Sequence, residues 1–435
     1  MGARETALNA LIACRKDGAW SNSVLKEYCQ RDGLDRREAA LATRLCCGVL
    51  QNRLKLDFYL KQLLTGKLRD LHPAIRDILH LGIYQLYEMD KIPESAAVNE
   101  SVILVKKYCK KLRNGPALVN GVLRGAVRRR EELLQPTELE DIYSHPPKLV
   151  SLLRAYVGED RLERILRANN EAAPTVIQTN LKKVTTKQLA ESLTDEGVSY
   201  TAHPWMGDCL ILRETGNIEN LLAFRNGWFY VQDAAAKLSV LSAQIPENAS
   251  VLDCCAAPGG KSFAAAILGA GCVISCDVHP HKVELINKSA QRLGLTMIDS
   301  RLQDASVFHP EWENAMDVVI ADVPCSGYGI IRKKPDIRYK DPDSMSQLPA
   351  LQLAILKNQA RYVKPGGTLL YSTCTLVRKE NEGVVEKFLK NAPDFVAVPL
   401  ELPPVFDKNT SGMLSLVPGE YDTDGFFICR LRRSL

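Results

Sequence analysis

Apolar positions recur at helical spacing through the first 130 residues. Ala7, Leu8, Leu11 and Ile12 form one stripe, and Leu45, Val49, Leu50 and Leu54 a second. Ile75, Ile78, Leu79, Ile83, Leu86 and Tyr87 form a third. Pro73 and Pro116 stand where first-turn prolines open helices, because the N–H they lack has no intrahelical partner there. Strand periodicity is absent, so residues 1–140 are expected to be an all-α bundle. Residues 131–148, with Gln135-Pro136 and His145-Pro-Pro147, read as a linker. Helical patterns at 149–156, 162–166 and 189–193 then mix with strand patterns at 176–180, 210–212 and 228–231. That mixture predicts a small α+β middle domain over 141–235.

From 236 the pattern changes again. Short apolar runs, several ending in an acid, alternate with helical stretches at 262–268, 282–293 and 351–363. The runs are Val251–Asp253, Cys272–Asp277, Met316–Asp322, Gly366–Thr373 and Asp424–Arg430. Strands alternating with helices predict a largely parallel, doubly wound α/β domain over 236–435, with its site at the strand carboxyl ends.

The first of these runs leads into Cys255-Ala-Ala-Pro-Gly-Gly-Lys261, small enough for a tight turn where backbone N–H groups approach a ligand. Asp277 follows Asp253 by 24 residues, near the offset at which such folds set a carboxylate on a ribose. A P-loop needs a glycine where Cys255 stands, and the dinucleotide fingerprint G-x-G-x-x-G is missing. An adenosyl ligand without phosphate fits the turn better. Asp253 itself is read as a brace for the turn.

Charge adds a partner class. Residues 1–130 carry a net +11 and the remainder −6, so the helical front is a candidate polyanion-binding module. Lys106, Lys107, Lys110 and Lys111 cluster there, followed by Arg128, Arg129 and Arg130; an RNA-contacting surface and a merely solvated face both fit this pattern. The 13 cysteines include no C-x-x-C pair, so no metal site is expected, and a reduced cytoplasmic setting fits. No apolar run approaches the ~18 residues of a membrane span, and no signal peptide is read at the start. A monomer is expected.

Two of the strand ends run into cysteines, at Asp322-Val-Pro-Cys-Ser-Gly327 and Tyr371-Ser-Thr-Cys-Thr-Leu376. Both turns should face the crevice that the glycine turn faces. Cysteines on successive site-facing turns, one beside an Asp-x-Pro, point to a nucleophile more than to core packing. Together with Cys255–Lys261, these motifs resemble those of S-adenosylmethionine-dependent RNA cytosine-C5 methyltransferases. Gly227–Ala235 and Arg332–Arg338 match further segments of that family. Arg4-Glu-Thr-Ala-Leu8, Asp57-Phe-Tyr-Leu60, Glu94–Glu100 and Asn114–Asn120 resemble the NusB-type RNA-binding helical domain. The whole chain is thus similar to the bacterial RsmB (Sun/Fmu) type, which methylates 16S rRNA.

The resemblance implies a Rossmann-like methyltransferase domain with S-adenosylmethionine as cofactor. Its methionine part would be cradled by Cys255, Ala256, Ala257, Pro258, Gly259, Gly260 and Lys261. Asp277 would bind the ribose, Asp304 would lie near the adenine, and Asp322 near the methyl-donating centre. Cys374 matches the RNA family's nucleophile and Cys325 the residue that assists product release. The chemistry suits them: thiolate addition at C6 makes C5 of cytosine nucleophilic, and Asp322 can hold the N3/N4 edge of the base. The site should favour the Cys374 thiolate. Lys333, Lys334 and Arg338 would either grip phosphates beside the flipped base or lie in a solvated loop. Rival readings are the same reaction on tRNA or 23S rRNA, and a non-catalytic ribosome-assembly or antitermination factor.

Overall fold

The computed structural model describes residues 2–17, 19–213 and 215–435. The chain forms two compact units, Met1–Glu171 with Ile331–Asp341, and Ala172–Ile330 with Pro342–Leu435.

The N-terminal unit is helical. Helices Ala3–Asp17, Ser21–Arg31, Arg36–Leu63, Pro73–Glu88, Glu94–Tyr108 and Gly115–Arg128 bury the expected stripes, with Leu8, Leu45, Ile78, Leu79 and Ile83 inaccessible. Asp35 caps the longest helix by accepting from the Glu38 N–H at 2.8 Å, which satisfies one of its otherwise unpaired donors. Gly48 lets that helix lie against the next: a Cβ there would fall 2.0 Å from the Tyr84 ring. Deep in the unit, Asp57 accepts from His80 Nε2 at 2.7 Å and from Arg76 Nε at 3.1 Å. Helices Pro147–Val157 and Glu159–Ala168, expected in the middle domain, belong to this unit.

The stretch read as a linker is exposed over much of 131–138 but packed at Ser144 and His145. Ser144 and His145 are inaccessible, and the Ser144 hydroxyl accepts from the Leu54 N–H at 2.7 Å. Its prolines had suggested an open connection; here Pro147 opens a helix.

The second unit holds two sheets. The smaller is antiparallel throughout, formed by β1 (Thr175–Thr179), β2 (Ser199–Ala202), β3 (Cys209–Arg213) and β4 (Phe229–Val231) in the order β2-β3-β1-β4. The larger contains β5 (Ser250–Asp253), β6 (Cys272–Asp277), β7 (Ile298–Leu302), β8 (Met316–Asp322) and β9 (Val363–Thr373). It is completed by β10 (Phe395–Ala397), β11 (Met413–Leu416) and β12 (Phe426–Arg433). Its order is β10-β12-β9-β8-β5-β6-β7, with β11 also on β12. From β9 to β7 all pairings are parallel, while β12 runs antiparallel to β9. The sheet is therefore the expected doubly wound one with an antiparallel edge. Val318, Val319, Ile320, Leu369 and Leu370 are fully buried, as strands covered by helices on both faces must be.

Candidate active site

Parallel strands all deliver their carboxyl ends to one edge of the sheet, and the order β9-β8-β5-β6-β7 makes neighbours of the ends that carry the chemistry. β5 ends at Asp253, and the turn after it enters helix Gly260–Ile267 through Gly259 at φ 107°. That left-handed backbone suits glycine, and a Cβ would fall 2.3 Å from the Phe263 ring. The turn is tied down by the Ala256 N–H, which donates to the Cys276 carbonyl at 2.8 Å.

Asp253 lies behind the turn, wholly buried. It accepts from the Ser262 hydroxyl at 2.7 Å, which accepts in turn from Ser275 at 2.7 Å. Burial pushes its carboxyl up to about 7. These contacts make Asp253 a brace for the turn.

The other acids stand further forward. At the end of β6, Asp277 accepts from the His279 N–H at 3.0 Å, with Lys282 Nζ 3.7 Å away. Beyond β7, the exposed Asp304 accepts from the Ser306 hydroxyl and N–H at 2.6 and 2.8 Å, which hold its carboxyl below the usual range. At the end of β8, one oxygen of Asp322 takes a 2.6 Å ion pair from Lys261 and the other accepts from Ser372 at 2.7 Å. The Lys261 ammonium also lies 5.0 Å from the Phe426 ring centre. Carboxylates at successive strand ends suit hydroxyls, an ammonium and a sulfonium, and would repel phosphate. The residues present therefore fit an adenosyl-sulfonium cofactor: Cys255–Lys261 and Asp277, Asp304 and Asp322 would hold it.

Beyond β8 and β9 the two cysteine turns meet. Cys325 Sγ and Cys374 Sγ lie 3.2 Å apart, and the Gly329 N–H donates to the Cys374 carbonyl at 2.9 Å. The hydrogen bond to Cys374, burial and the nearby charges of Glu380 and Asp322 push the Cys325 thiol well above its ordinary range. Cys325 is thus a thiol at neutral pH. Among the described residues no group of three or more His, Cys, Asp or Glu is arranged to hold a metal ion, and no helix is long and apolar enough to cross a membrane.

Sequence reasoning did not single out Ser372, Phe426, Glu380 or Asn381. Ser372 sits two positions before Cys374, in the motif that was recognised, but its contact with Asp322 depends on strand pairing.

The basic residues divide. Lys106, Lys107, Lys110, Lys111, Arg128, Arg129 and Arg130 are all exposed on the N-terminal unit. Lys107 pairs with Glu5, Arg129 lies 3.5 Å from Glu132, and Arg130 stacks 5.4 Å over Tyr87. Lys334 is exposed and lies 5.6 Å from the Trp20 ring centre, while Lys333 is half-buried. Arg338 corrects the expectation. It is inaccessible inside the N-terminal unit, and donates to the carbonyls of Gln51 (2.8 Å), Ser144 (3.2 Å) and Asn169 (3.2 Å) and to Asn170 Oδ1 (2.9 Å). With its N–H groups turned inward, it presents no face to a phosphate.

Comparison with known proteins agrees along the chain. The family model for the 16S rRNA methyltransferase RsmB/F matches residues 240–432, that of the NusB family 1–128, and an RsmF/B-like ferredoxin-like domain 145–219. The probable ribosomal RNA small subunit methyltransferase B of Bacillus subtilis is 36% identical over 443 residues, spanning 99% of this chain and 98% of that protein. The ribosomal RNA small subunit methyltransferase B of Klebsiella pneumoniae is 31% identical, over 98% of this chain and 97% of its own. Among solved structures, PH0851 shares the fold at a TM-score of 0.82, with 24% identity, 99% of this chain covered and 98% of that one. A methyltransferase homolog protein from Pyrococcus horikoshii matches at TM-score 0.55 and 26% identity, over 65% of this chain and 93% of its own. With a NusB-type helical front, a ferredoxin-like middle and a Rossmann-like end in one continuous match, this chain belongs to the RsmB (Sun) family of ribosomal RNA small subunit methyltransferases.

Proposed function

We propose that this S-adenosylmethionine-dependent rRNA methyltransferase methylates C5 of a cytosine in 16S rRNA through a covalent bond between Cys374 and C6. The observation that carries the reading is the meeting of Cys325 and Cys374 at 3.2 Å, on turns next to an Asp322 fixed by Lys261 and Ser372. S-adenosylmethionine, when bound at the glycine turn, supplies an electrophilic methyl group.

The residues then divide the work. Cys374, as thiolate, adds to C6 and makes C5 nucleophilic, replacing one hard step by two easier ones. Asp322, already oriented by two partners, holds the N3/N4 edge of the base while N3 takes a proton from water, which it gives back to water when the methylated base is released. Lys261 keeps that carboxylate aligned. After methyl transfer the C5 proton passes to water, and the bond from Cys374 to C6 breaks with its electron pair returning to sulfur. Cys325, held as a thiol, donates a hydrogen bond to the departing sulfur and so assists release. Exposed lysines of the helical unit hold the RNA by its phosphates, and the target base must leave its stack to reach the cysteines.

The test is to incubate unmodified 16S rRNA with radiolabelled S-adenosylmethionine and wild type, Cys374→Ala or Cys325→Ala. Wild type should yield labelled 5-methylcytosine. Cys374→Ala should lose activity by a factor of about 10³ or more, and Cys325→Ala should accumulate an RNA adduct that survives denaturing gels. An adduct only with Cys374→Ala reverses the two roles. Label at an exocyclic nitrogen defeats the C5 reading, and label on tRNA or 23S rRNA alone defeats the 16S reading.

A further inference from the structure

A buried dipeptide lies directly behind the two cysteine turns. Glu380 and Asn381, only 4% and 2% exposed, follow Cys374 by six and seven residues. One oxygen of Glu380 accepts from the Ser326 N–H and from Gln352 Nε2, both at 2.9 Å, and the same Gln352 amide donates to the Pro324 carbonyl at 2.9 Å. The peptide units on either side of Cys325 are therefore both held by the Glu380–Gln352 pair. Asn381 holds the two threonines that flank Cys374: its Oδ1 accepts from Thr373 Oγ1 at 2.5 Å and its Nδ2 donates to the Thr375 carbonyl at 3.0 Å. A 2.6 Å hydrogen bond between the hydroxyls of Ser326 and Thr375 ties the two turns across the gap. Tyr371 secures the dipeptide itself, donating to the Glu380 carbonyl at 2.5 Å.

We propose that Glu380 and Asn381 are the positioning residues of the two-cysteine centre, one dipeptide setting the approach of Cys325 to Cys374 by holding the peptide units on both sides of Cys325 and the two threonines that flank Cys374. Neither side chain touches the reacting atoms. Each acts through the residues that flank its cysteine and not on the sulfur itself. Glu380 has a second effect: its charge beside Cys325 favours the protonated thiol. The proposal rests on the two-cysteine chemistry argued above, but the geometry has a readout that needs no turnover.

That readout is oxidation by diamide, which takes two electrons and two protons from a pair of thiols, forming an S–S bond and a hydrazine. Peptide mapping follows the Cys325–Cys374 crosslink in the full-length protein, with thermal melting to show that each variant is folded. Wild type should crosslink readily. Glu380→Ala and Asn381→Ala should do so at least about 10-fold more slowly, and kcat in Glu380→Ala should fall about 100-fold with KM for RNA within about 2-fold, as for a misplaced reacting group. Glu380→Gln, whose amide oxygen accepts the same two N–H groups, should recover the crosslinking rate. Should the alanine variants not fold, Ser326→Ala cuts the tie between the turns and should slow crosslinking in the same direction. Crosslinking at the wild-type rate in folded variants overturns the proposal. Slowed crosslinking with unchanged kcat leaves the brace standing and overturns the two-cysteine chemistry instead.

Discussion

Both units bury polar and charged side chains, but to opposite ends. At the carboxyl edge of the larger sheet the groups face one another: Lys261 with Asp322, Ser372 with Asp322, and Cys325 with Cys374. Two cysteines, a carboxylate and a lysine are left grouped and oriented. In the helical unit they are consumed by structure. Asp57 is engaged by His80 and Arg76, and Arg338 by backbone carbonyls. Burial opposes the ionisation of Asp57, yet the interactions with His80 and Arg76 outweigh it and hold the carboxyl below the usual range. Polar burial alone therefore does not mark a site; what the polar atoms face does.

The contrast is broken most directly at Arg338. Burial lowers its guanidinium to about 10, which still leaves it charged at neutral pH. Arg338→Met should destabilise the protein by about 3–5 kcal/mol, because the carbonyls it serves lose their donor inside the fold. Chemical denaturation checks this, and the salt dependence of RNA binding by the folded variant should match wild type. A variant of unchanged stability whose RNA binding loses salt dependence would return Arg338 to the phosphate-gripping role that its neighbours in sequence suggest.

That misreading shows where the sequence is legible and where it is not. β5 and β8 are buried on both faces, so Val251–Asp253 and Met316–Asp322 are plain as apolar runs, and the acids that end them mark the site edge. β7 escapes because Ile298–Leu302 is a polar edge strand with its second and last two residues exposed. β2 escapes for the same reason, and β10, β11 and helix Glu382–Leu389 are too short for periodicity to speak. The cysteines and the glycine turn could be read because their chemistry needs particular side chains. Glu380 and Asn381 could not, since they work on backbone groups and a threonine hydroxyl beside the cysteines that only the folded chain brings to them. Arg338 sits in a basic run whose composition is the same whether it faces water or carbonyls.

Asp253 sharpens the comparison from inside the catalytic unit, as a polar group at the site edge that serves structure. Its carboxyl is raised from 3.8 to about 7 by burial, so the folded state holds a proton that the unfolded chain releases. Stability from this group is full below about pH 4 and is lost as pH rises through the window up to about 7, by at most about 4 kcal/mol. Asp253→Asn, neutral at every pH, should remove that decline. The difference between the melting curves of variant and wild type from pH 4 to 8 isolates it from the other carboxylates. A pH-independent difference would mean that Asp253 is ionised in the fold.

The smallest effect tests the exposed charges that neither unit consumes in its core. Lys106, Lys110 and Lys111 lie on the surface of the helical unit, at and just beyond the end of helix Glu94–Tyr108. If they meet phosphates, replacing all three by alanine should lower the slope of log affinity against log salt by at most about 2, at roughly 0.7 per phosphate contact on single-stranded RNA. Stability should stay within about 0.5 kcal/mol, as expected for surface substitutions. Filter binding of 16S rRNA fragments across a salt series measures the slope. An unchanged slope would assign these lysines to a solvated face and leave the exposed arginines at 128–130 as the stronger RNA contacts. Arg338→Met and the triple lysine variant thus make opposite demands on one pair of measurements. The buried cation should move stability and spare the salt slope, and the exposed ones should do the reverse.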